Sequence, residues 1–279
     1  MSKLRIAIQG YEGSFHHQAA ILHFGNNIEV VPEPTFNKLV HDAETQNGCD
    51  AAIMAIENSI AGSIMPNYAL IKNSALTIYG EVILRIKQNL MALPGQSIED
   101  IKEVQSHYMA IEQCREFLSK YPHIKLTESE DTALSAKHIQ QQQSKGVAAI
   151  ASEAAAGLYN LDILAPAIET DSNNYTRFMV VAKPGVFSEN QGHNKASVVV
   201  VFKERKGALA DNLNKLADAG INLTKLQSYP IIGKVWQYHF HIDMEYESFE
   251  VYKKAINMLN KNTLFLKILG TYKKHEQIW

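Results

Sequence analysis

The chain has 279 residues, of which 46% are hydrophobic, and its 27 Lys and Arg against 29 Asp and Glu leave a formal net charge of -2. This is enough apolar sequence for one or two ordinary cores, and the near-balanced charge, with no long block of either sign, excludes nucleic acid and anionic membrane as expected partners. Gln9 and Gly10 interrupt the N-terminal apolar run before a signal-peptide core forms, no stretch is long enough to span a bilayer, and the two cysteines, Cys49 and Cys114, frame neither a disulfide scaffold nor a zinc site, so a cytoplasmic protein without metal is expected.

From Leu4 to Ala182 short apolar runs alternate with amphipathic stretches, the pattern of an α/β fold with helices covering sheet. Leu4–Gln9 reads as a buried strand that opens into the turn Gly10–Phe15. The glycines of that turn allow a tight bend with amides aimed at an anion, and they fit a plain strand-to-helix turn equally well. His16 and His17, adjacent on the following helix, point in different directions and make no two-histidine site. Thr35 caps a helix ending near Gly48, and Ala51–Ile56 is a second buried strand. The segment Ile56–Ser63 then packs more hydrogen-bonding side chains into a turn than capping requires, which marks Asn58 and Ser59 for a ligand or for a cap.

A strand ending at Val104 leads to Ser106-His107 and a helix carrying Ala110, Cys114 and Leu118. A hydroxyl and an imidazole at a helix start suit a carboxylate, while a lone histidine also serves as a structural hydrogen-bonder. Asp131 caps a helix through Ala133, Leu134 and Ile139, Gln140–Gln143 is a solvated helix end, and Val147–Ala151 is a further strand. Asn174-Tyr175-Thr176-Arg177-Phe178 enters the apolar run Met179–Ala182 from a polar loop, and composition alone reads it as an edge-strand threonine beside a solvated arginine.

Between Lys183 and Asn194 the composition turns to Pro, Gly, Ser and Asn, as in a linker. Beyond it Ala196–Phe202, Gly207–Ala219, Ile221–Ser228, Val235–Tyr246, Ser248–Leu259 and Leu264–Gly270 read as β-α-β-β-α-β, a ferredoxin-like sandwich with an edge or face free for self-association. His239, His241 and Asp243 alternate along one strand; metal ligation is set aside in favour of a solvated face or a subunit contact.

Taken in this order and spacing, the motifs resemble those of the prephenate dehydratase family over nearly the whole chain. They are Gly10–Phe15, Ile56–Gly62, Ser106-His107 with Gln113-Cys114, Ala148–Leu161 containing Ser152-Glu153, and Asn174–Phe178, of which the Thr-Arg-Phe triplet is the most specific. The sequence after Lys195 is similar to the family's ACT domain, with Gly207-Ala208-Leu209 at its effector motif. Some positions depart from the pattern: Tyr11 and Ala55 stand where prolines are usual. Gln227-Ser228-Tyr229-Pro230 replaces Glu-Ser-Arg-Pro, removing a carboxylate, a guanidinium and the ion pair they could form.

The resemblance implies a monofunctional, cofactor-free lyase that converts prephenate to phenylpyruvate. It implies a two-lobed, periplasmic-binding-protein-like catalytic domain (residues 1–184), a linker (185–194) and a ferredoxin-like ACT domain (195–279) that binds L-phenylalanine and pairs in a homodimer or homotetramer. Thr176 would assist departure of the ring hydroxyl and Arg177 would pair with a carboxylate. Asn58, Ser59, Ser106, His107, Gly13, Ser14, Asn174 and Phe178 would line the substrate site. Gly207, Ala208, Leu209, Gln227, Ser228, Tyr229 and Pro230 would hold the effector. Two other readings stand beside it: the same chemistry on arogenate, and a non-catalytic amino-acid sensor.

Overall fold

The computed structural model describes residues 3–187, 192–231 and 233–276, so residues 188–191 of the expected linker lie outside the described residues. Two compact units divide the chain: one takes residues up to Ile64 together with Val82–Phe178, the other Met65–Glu81 together with Met179 onward. No described helix is long and apolar enough to cross a membrane.

The chain begins with β1 (Leu4–Gln9), α1 (Phe15–Phe24), β2 (Ile28–Glu33), α2 (Phe36–Thr45), β3 (Ala51–Asn58) and β4 (Gly62–Ser63). Next come α3 (Met65–Asn73), which belongs to the second unit, and β5 (Thr77–Arg85), whose residues from Val82 belong to the first. The first unit continues with β6 (Asn89–Ala92), β7 (Glu103–Ser106), α4 (Tyr108–Gln113), α5 (Arg115–Leu118), β8 (Lys125–Glu128), α6 (Thr132–Gln142), β9 (Val147–Ala151), α7 (Glu153–Leu158), β10 (Asp162–Ala165) and the start of β11 (Tyr175–Ala182).

These strands form two sheets, one in the order β2-β1-β3-β11-β5 with β4 paired to β3, the other β10-β6-β9-β7-β8. β1 runs parallel to both β2 and β3, and β7 parallel to both β8 and β9. Parallel strands covered on both faces need uninterrupted apolar runs, and Ile6–Ile8 and Ala51–Ile56 are buried at every position. The strand expected to stop at Ile56 runs on through Asn58, because Glu57 and Asn58 pair with Ser63 and Gly62 across a short hairpin. The helix expected from Ala110 to Leu118 is two short ones, broken at Cys114.

The second unit adds β12 (Lys195–Phe202), α8 (Ala208–Asp218), β13 (Asn222–Pro230), β14 (Tyr238–Glu245), α9 (Phe249–Asn262) and β15 (Thr263–Tyr272). Its sheet has the order β13-β14-β12-β15 with all neighbours antiparallel, so the expected βαββαβ sandwich is present. β14 begins at Tyr238 rather than Val235, since Gly233 and Trp236 hold positive φ of 82° and 61° in the preceding turn. Ala196, Val198, Val200, Ile242 and Met244 face α8 and α9, meeting Leu216, Tyr252, Ala255 and Leu259.

The opposite face of this sheet is not solvated. It carries His239, His241 and Asp243, at 2%, 2% and 3% exposure, and α3 covers it, with the Tyr68 ring 5.0 Å from that of His241. Lys267 donates to the carbonyls of Lys72 and Ser74 at 2.6 Å, which satisfies acceptors left open at the end of α3. At Gly270 the sheet lies so close to Ile78 that a Cβ would sit 2.1 Å from its carbonyl oxygen. The sequence could not announce this packing, because α3 stands more than a hundred residues upstream of the strands it covers.

Candidate active site

Within the first unit, the carboxyl ends of β1 and β3 and the start of β11 face the starts of α4 and α6 across a cavity of about 380 Å³. Ligands of open α/β sheets bind beyond such strand ends. The cavity wall includes Ser14 and His16 at the start of α1, Asn58 from β3, His107 and Gln113 around α4, Asp131 and Thr132 at α6, and Thr176 and Phe178 from β11.

A hydrogen-bond network fixes one side of it. The Asn58 amide Nδ2 donates to Asn174 Oδ1 at 2.7 Å, to Thr176 Oγ1 at 3.0 Å and to the Tyr175 carbonyl at 3.2 Å, while its Oδ1 accepts from the amides of Ile60 and Ala61. Asn174, fully buried, passes the network on through Nδ2 to Gln113 Oε1 at 3.0 Å. Ser59 is a clasp: its hydroxyl donates to the Asn173 carbonyl at 2.7 Å and accepts from the Tyr175 amide at 2.9 Å. Because Thr176 Oγ1 accepts from Asn58, its own proton is available to the cavity.

Alternation along β11 places Thr176 and Phe178 on the cavity and Arg177 on the other face. The Arg177 guanidinium lies 3.9 Å from the Glu57 carboxylate, with its side chain 11% exposed. The side-by-side pair read from the sequence is therefore divided by the strand. No lysine or arginine lines the cavity among the described residues.

Positive potential comes instead from helix starts. α1, of ten residues, and α6, of eleven, both open on the cavity, and the first amides of a helix have no intrahelical acceptor. Ser14 caps α1 by accepting from the His17 amide, leaving the Phe15 and His16 amides to a ligand, and Asp131 caps α6 by accepting from the Leu134 amide at 2.9 Å and from the Ala133 amide, leaving that of Thr132. Burial holds the Asp131 carboxyl above its usual range, against the pull of those amides.

The glycine turn itself is not the anion cradle that its composition suggested. The Gly10 amide donates to the Glu33 carbonyl, the Ser14 amide to the Tyr11 carbonyl, and the Gly13 amide to His17 Nδ1 at 2.9 Å. The glycines serve close approach: at Gly10, with φ +89°, a Cβ would stand 2.6 Å from Asp131 Oδ2, and at Gly13 it would press on the Ala155 backbone at 3.0 Å. Ser152 secures the same turn by donating to the Gly13 carbonyl. Ser106 is likewise internal, fully buried and donating to the Ile150 carbonyl at 2.6 Å. Its neighbour His107 lines the cavity and caps α4, with Nδ1 accepting from the Met109 amide at 3.2 Å.

The wall also holds Gln113, which the sequence shows only within a matching string, Asp131, which reads there only as a cap, and His16, which with His17 makes no two-histidine site. Capping was a usable signal for Asp131, since a helix start at a strand's carboxyl end is itself a site; nothing in the sequence singled out His16.

In the second unit Gly207, in a left-handed conformation with φ 76°, precedes α8, and Ala208 and Leu209 line a cavity of about 260 Å³ with Trp236, Tyr238 and Phe240. Gln227, Ser228, Tyr229 and Pro230 lie along β13 and do not line it. Gln227 Nε2 donates to the Ser228 carbonyl, and the Tyr229 ring lies 5.2 Å from that of His239.

The family model described as prephenate dehydratase matches residues 6–186. A bifunctional chorismate mutase/prephenate dehydratase of Aquifex aeolicus is 35% identical over 274 residues, covering 98% of this chain and 74% of that protein. Arogenate dehydratase 2 of Petunia hybrida is 36% identical over 286 residues, covering 97% of this chain and 72% of that protein. The solved structure of a prephenate dehydratase from Arthrobacter aurescens, in complex with L-Phe, superposes with a TM-score of 0.83 at 27% identity, covering 97% of this chain and 90% of that one.

Proposed function

Because this chain belongs to the prephenate dehydratase family and is a carbon–oxygen lyase, we propose that its 380 Å³ cavity binds prephenate and that Thr176 assists the departing hydroxyl. In that reaction the bond to the ring carboxylate breaks, carbon dioxide leaves, and its electron pair makes the ring aromatic as the para hydroxyl departs and is protonated to water. Aromatisation drives the step, so the protein has to position a dianion and stabilise a leaving oxygen, work that needs no electron sink.

The observation that carries this assignment is the bond from Asn58 to Thr176 Oγ1 at 3.0 Å. It fixes the hydroxyl as an acceptor toward the protein and therefore as a donor toward the cavity. A threonine hydroxyl is too weak an acid to release its proton outright at neutral pH, so it acts as a hydrogen-bond donor in a concerted loss. The open amides at the starts of α1 and α6 are assigned to the carboxylates. Arg177, held toward Glu57, is assigned to fixing the end of β3 rather than to a direct bidentate contact.

The first unit is read as the two-lobed, periplasmic-binding-protein-like catalytic domain and the βαββαβ unit as an ACT domain. The Gly207–Leu209 cavity is proposed for L-phenylalanine, the ligand named in the Arthrobacter aurescens structure. Val235 and Trp236, 80% and 84% exposed at its edge, support association into a homodimer or homotetramer. Arogenate is the second substrate reading, favoured by the Petunia hybrida relative at similar identity. Incubation of the purified protein with prephenate should produce the absorbance of phenylpyruvate. No product from prephenate, with ready turnover of arogenate, would move the assignment to the second substrate.

A further inference from the structure

His16 is the second residue of α1 and lines the cavity beside Ala55, Phe178 and Ser14. Its ring is held on three sides. The Ala55 amide donates to Nε2 at 3.3 Å, the Phe178 ring meets it edge-on at 5.0 Å and 82°, and Phe36 lies tilted at 5.6 Å. A neutral imidazole whose Nε2 accepts must carry its proton on Nδ1. Burial holds this imidazole far below its ordinary value, at about 4, so the ring is neutral at physiological pH. Nδ1 meets no hydrogen-bond acceptor among the described residues, so its N–H is left to whatever fills the cavity.

We infer that His16 is a specificity-determining residue whose Nδ1–H donates to the keto oxygen of the substrate's side chain, selecting a 2-oxo acid over the corresponding 2-amino acid. The inference rests on the proposed reaction and deepens it. A neutral N–H donor pairs with a carbonyl oxygen. An ammonium in the same place offers only donors, so both groups would lose their partners, and a site that leaves a polar group unpaired discriminates strongly. The Ala55 amide makes the selection possible, since without it either ring nitrogen could carry the proton.

Steady-state turnover of prephenate and arogenate by the wild-type, His16→Ala and His16→Asn proteins tests this. The His16→Ala change should lower kcat/KM for prephenate about three- to tenfold, mainly through KM, and lower that for arogenate far less. His16→Asn, whose amide can place a donor near the Nδ1 position, should recover most of the loss. An unchanged ratio of the two substrates in His16→Ala overturns the inference while leaving the dehydratase reading intact. A wild-type protein inactive on both substrates sinks that reading and the inference with it. Should His16→Ala fail to fold, the imidazole ¹⁵N spectrum of the wild-type protein decides: an Nδ1–H tautomer at neutral pH whose proton shifts with phenylpyruvate but not with phenylalanine supports the role, and an Nε2–H tautomer or an imidazolium ends it.

Discussion

In the cavity of the first unit, Asn58, Asn174, Thr176 and Gln113 are linked side chain to side chain, so that each of these four has a partner. In the second unit, His239 and His241 are as deeply buried, and none of their four ring nitrogens has a hydrogen-bond partner among the described residues. Both arrangements keep polar groups out of water at a cost of about 1–3 kcal/mol for each one left unpaired. The cavity avoids that cost by closing its network, and a closed network leaves only chosen donors for a ligand. The histidine face leaves it standing, so its polarity should appear in stability rather than in chemistry. Substitutions at the two places should therefore be read out in different experiments.

The largest effect is expected at Thr176. Removing the hydroxyl with Thr176→Ala leaves the Asn58 amide with Asn174 and Tyr175 as acceptors, so the fold should hold and the melting temperature should stay within a few degrees. Turnover of prephenate should fall by roughly 10²-fold or more, the scale of losing assistance to a leaving group. Near-normal kcat would show that the network's open donor has nothing to do with the reaction.

Asn58→Asp is a subtler cut, because it preserves shape and the oxygen that accepts from the amides of Ile60 and Ala61. The second oxygen would now face Asn174 Oδ1 and would draw the Thr176 proton toward itself and away from the cavity. Turnover should fall about 10- to 100-fold, with a stability loss of about 1–3 kcal/mol from the two facing acceptors. If turnover falls only in proportion to the folded fraction, Asn58 supports the structure and does not orient the hydroxyl.

How far the sequence disclosed these two regions follows from the range of the contacts. Asn58 and Thr176 were legible because each sits in a contiguous string at a strand end, where polar excess is visible without knowing its partner. The βαββαβ unit was legible because its alternating and helical periods are local. Ser106 misled for the same reason: a serine at a strand end looks ligand-facing, and only the structure shows that its hydroxyl is spent on the Ile150 carbonyl across the sheet. His239 and His241 looked solvated because the element that buries them, α3, is remote in sequence. The separation of Thr176 from Arg177 was implicit in strand alternation, but the triplet's likeness to a motif drew the two together.

The smallest expected effect is the one that separates the two regions most cleanly. Burial holds His241 at about 4 against an ordinary 6.5, with the neighbouring His239 and Lys72 acting in the same direction and Asp243 opposing them. Between these values the unfolded chain binds a proton that the folded chain refuses, so the stability associated with His241 is present above pH 6.5 and drains away as pH falls toward 4. From pH 7 to pH 5 the loss amounts to about 2 kcal/mol for this one ring. His241→Phe keeps an aromatic edge against Tyr68 and removes two unpaired nitrogens, so at pH 7 its melting temperature should equal or exceed that of the wild type. As pH is lowered the gap should widen in favour of the variant, while prephenate turnover at neutral pH stays unchanged. Parallel stability curves from pH 7 to pH 5 would mean that His241 finds a proton acceptor or water in solution, and the contrast between a closed cavity network and an unpaired histidine face would fail at its second half.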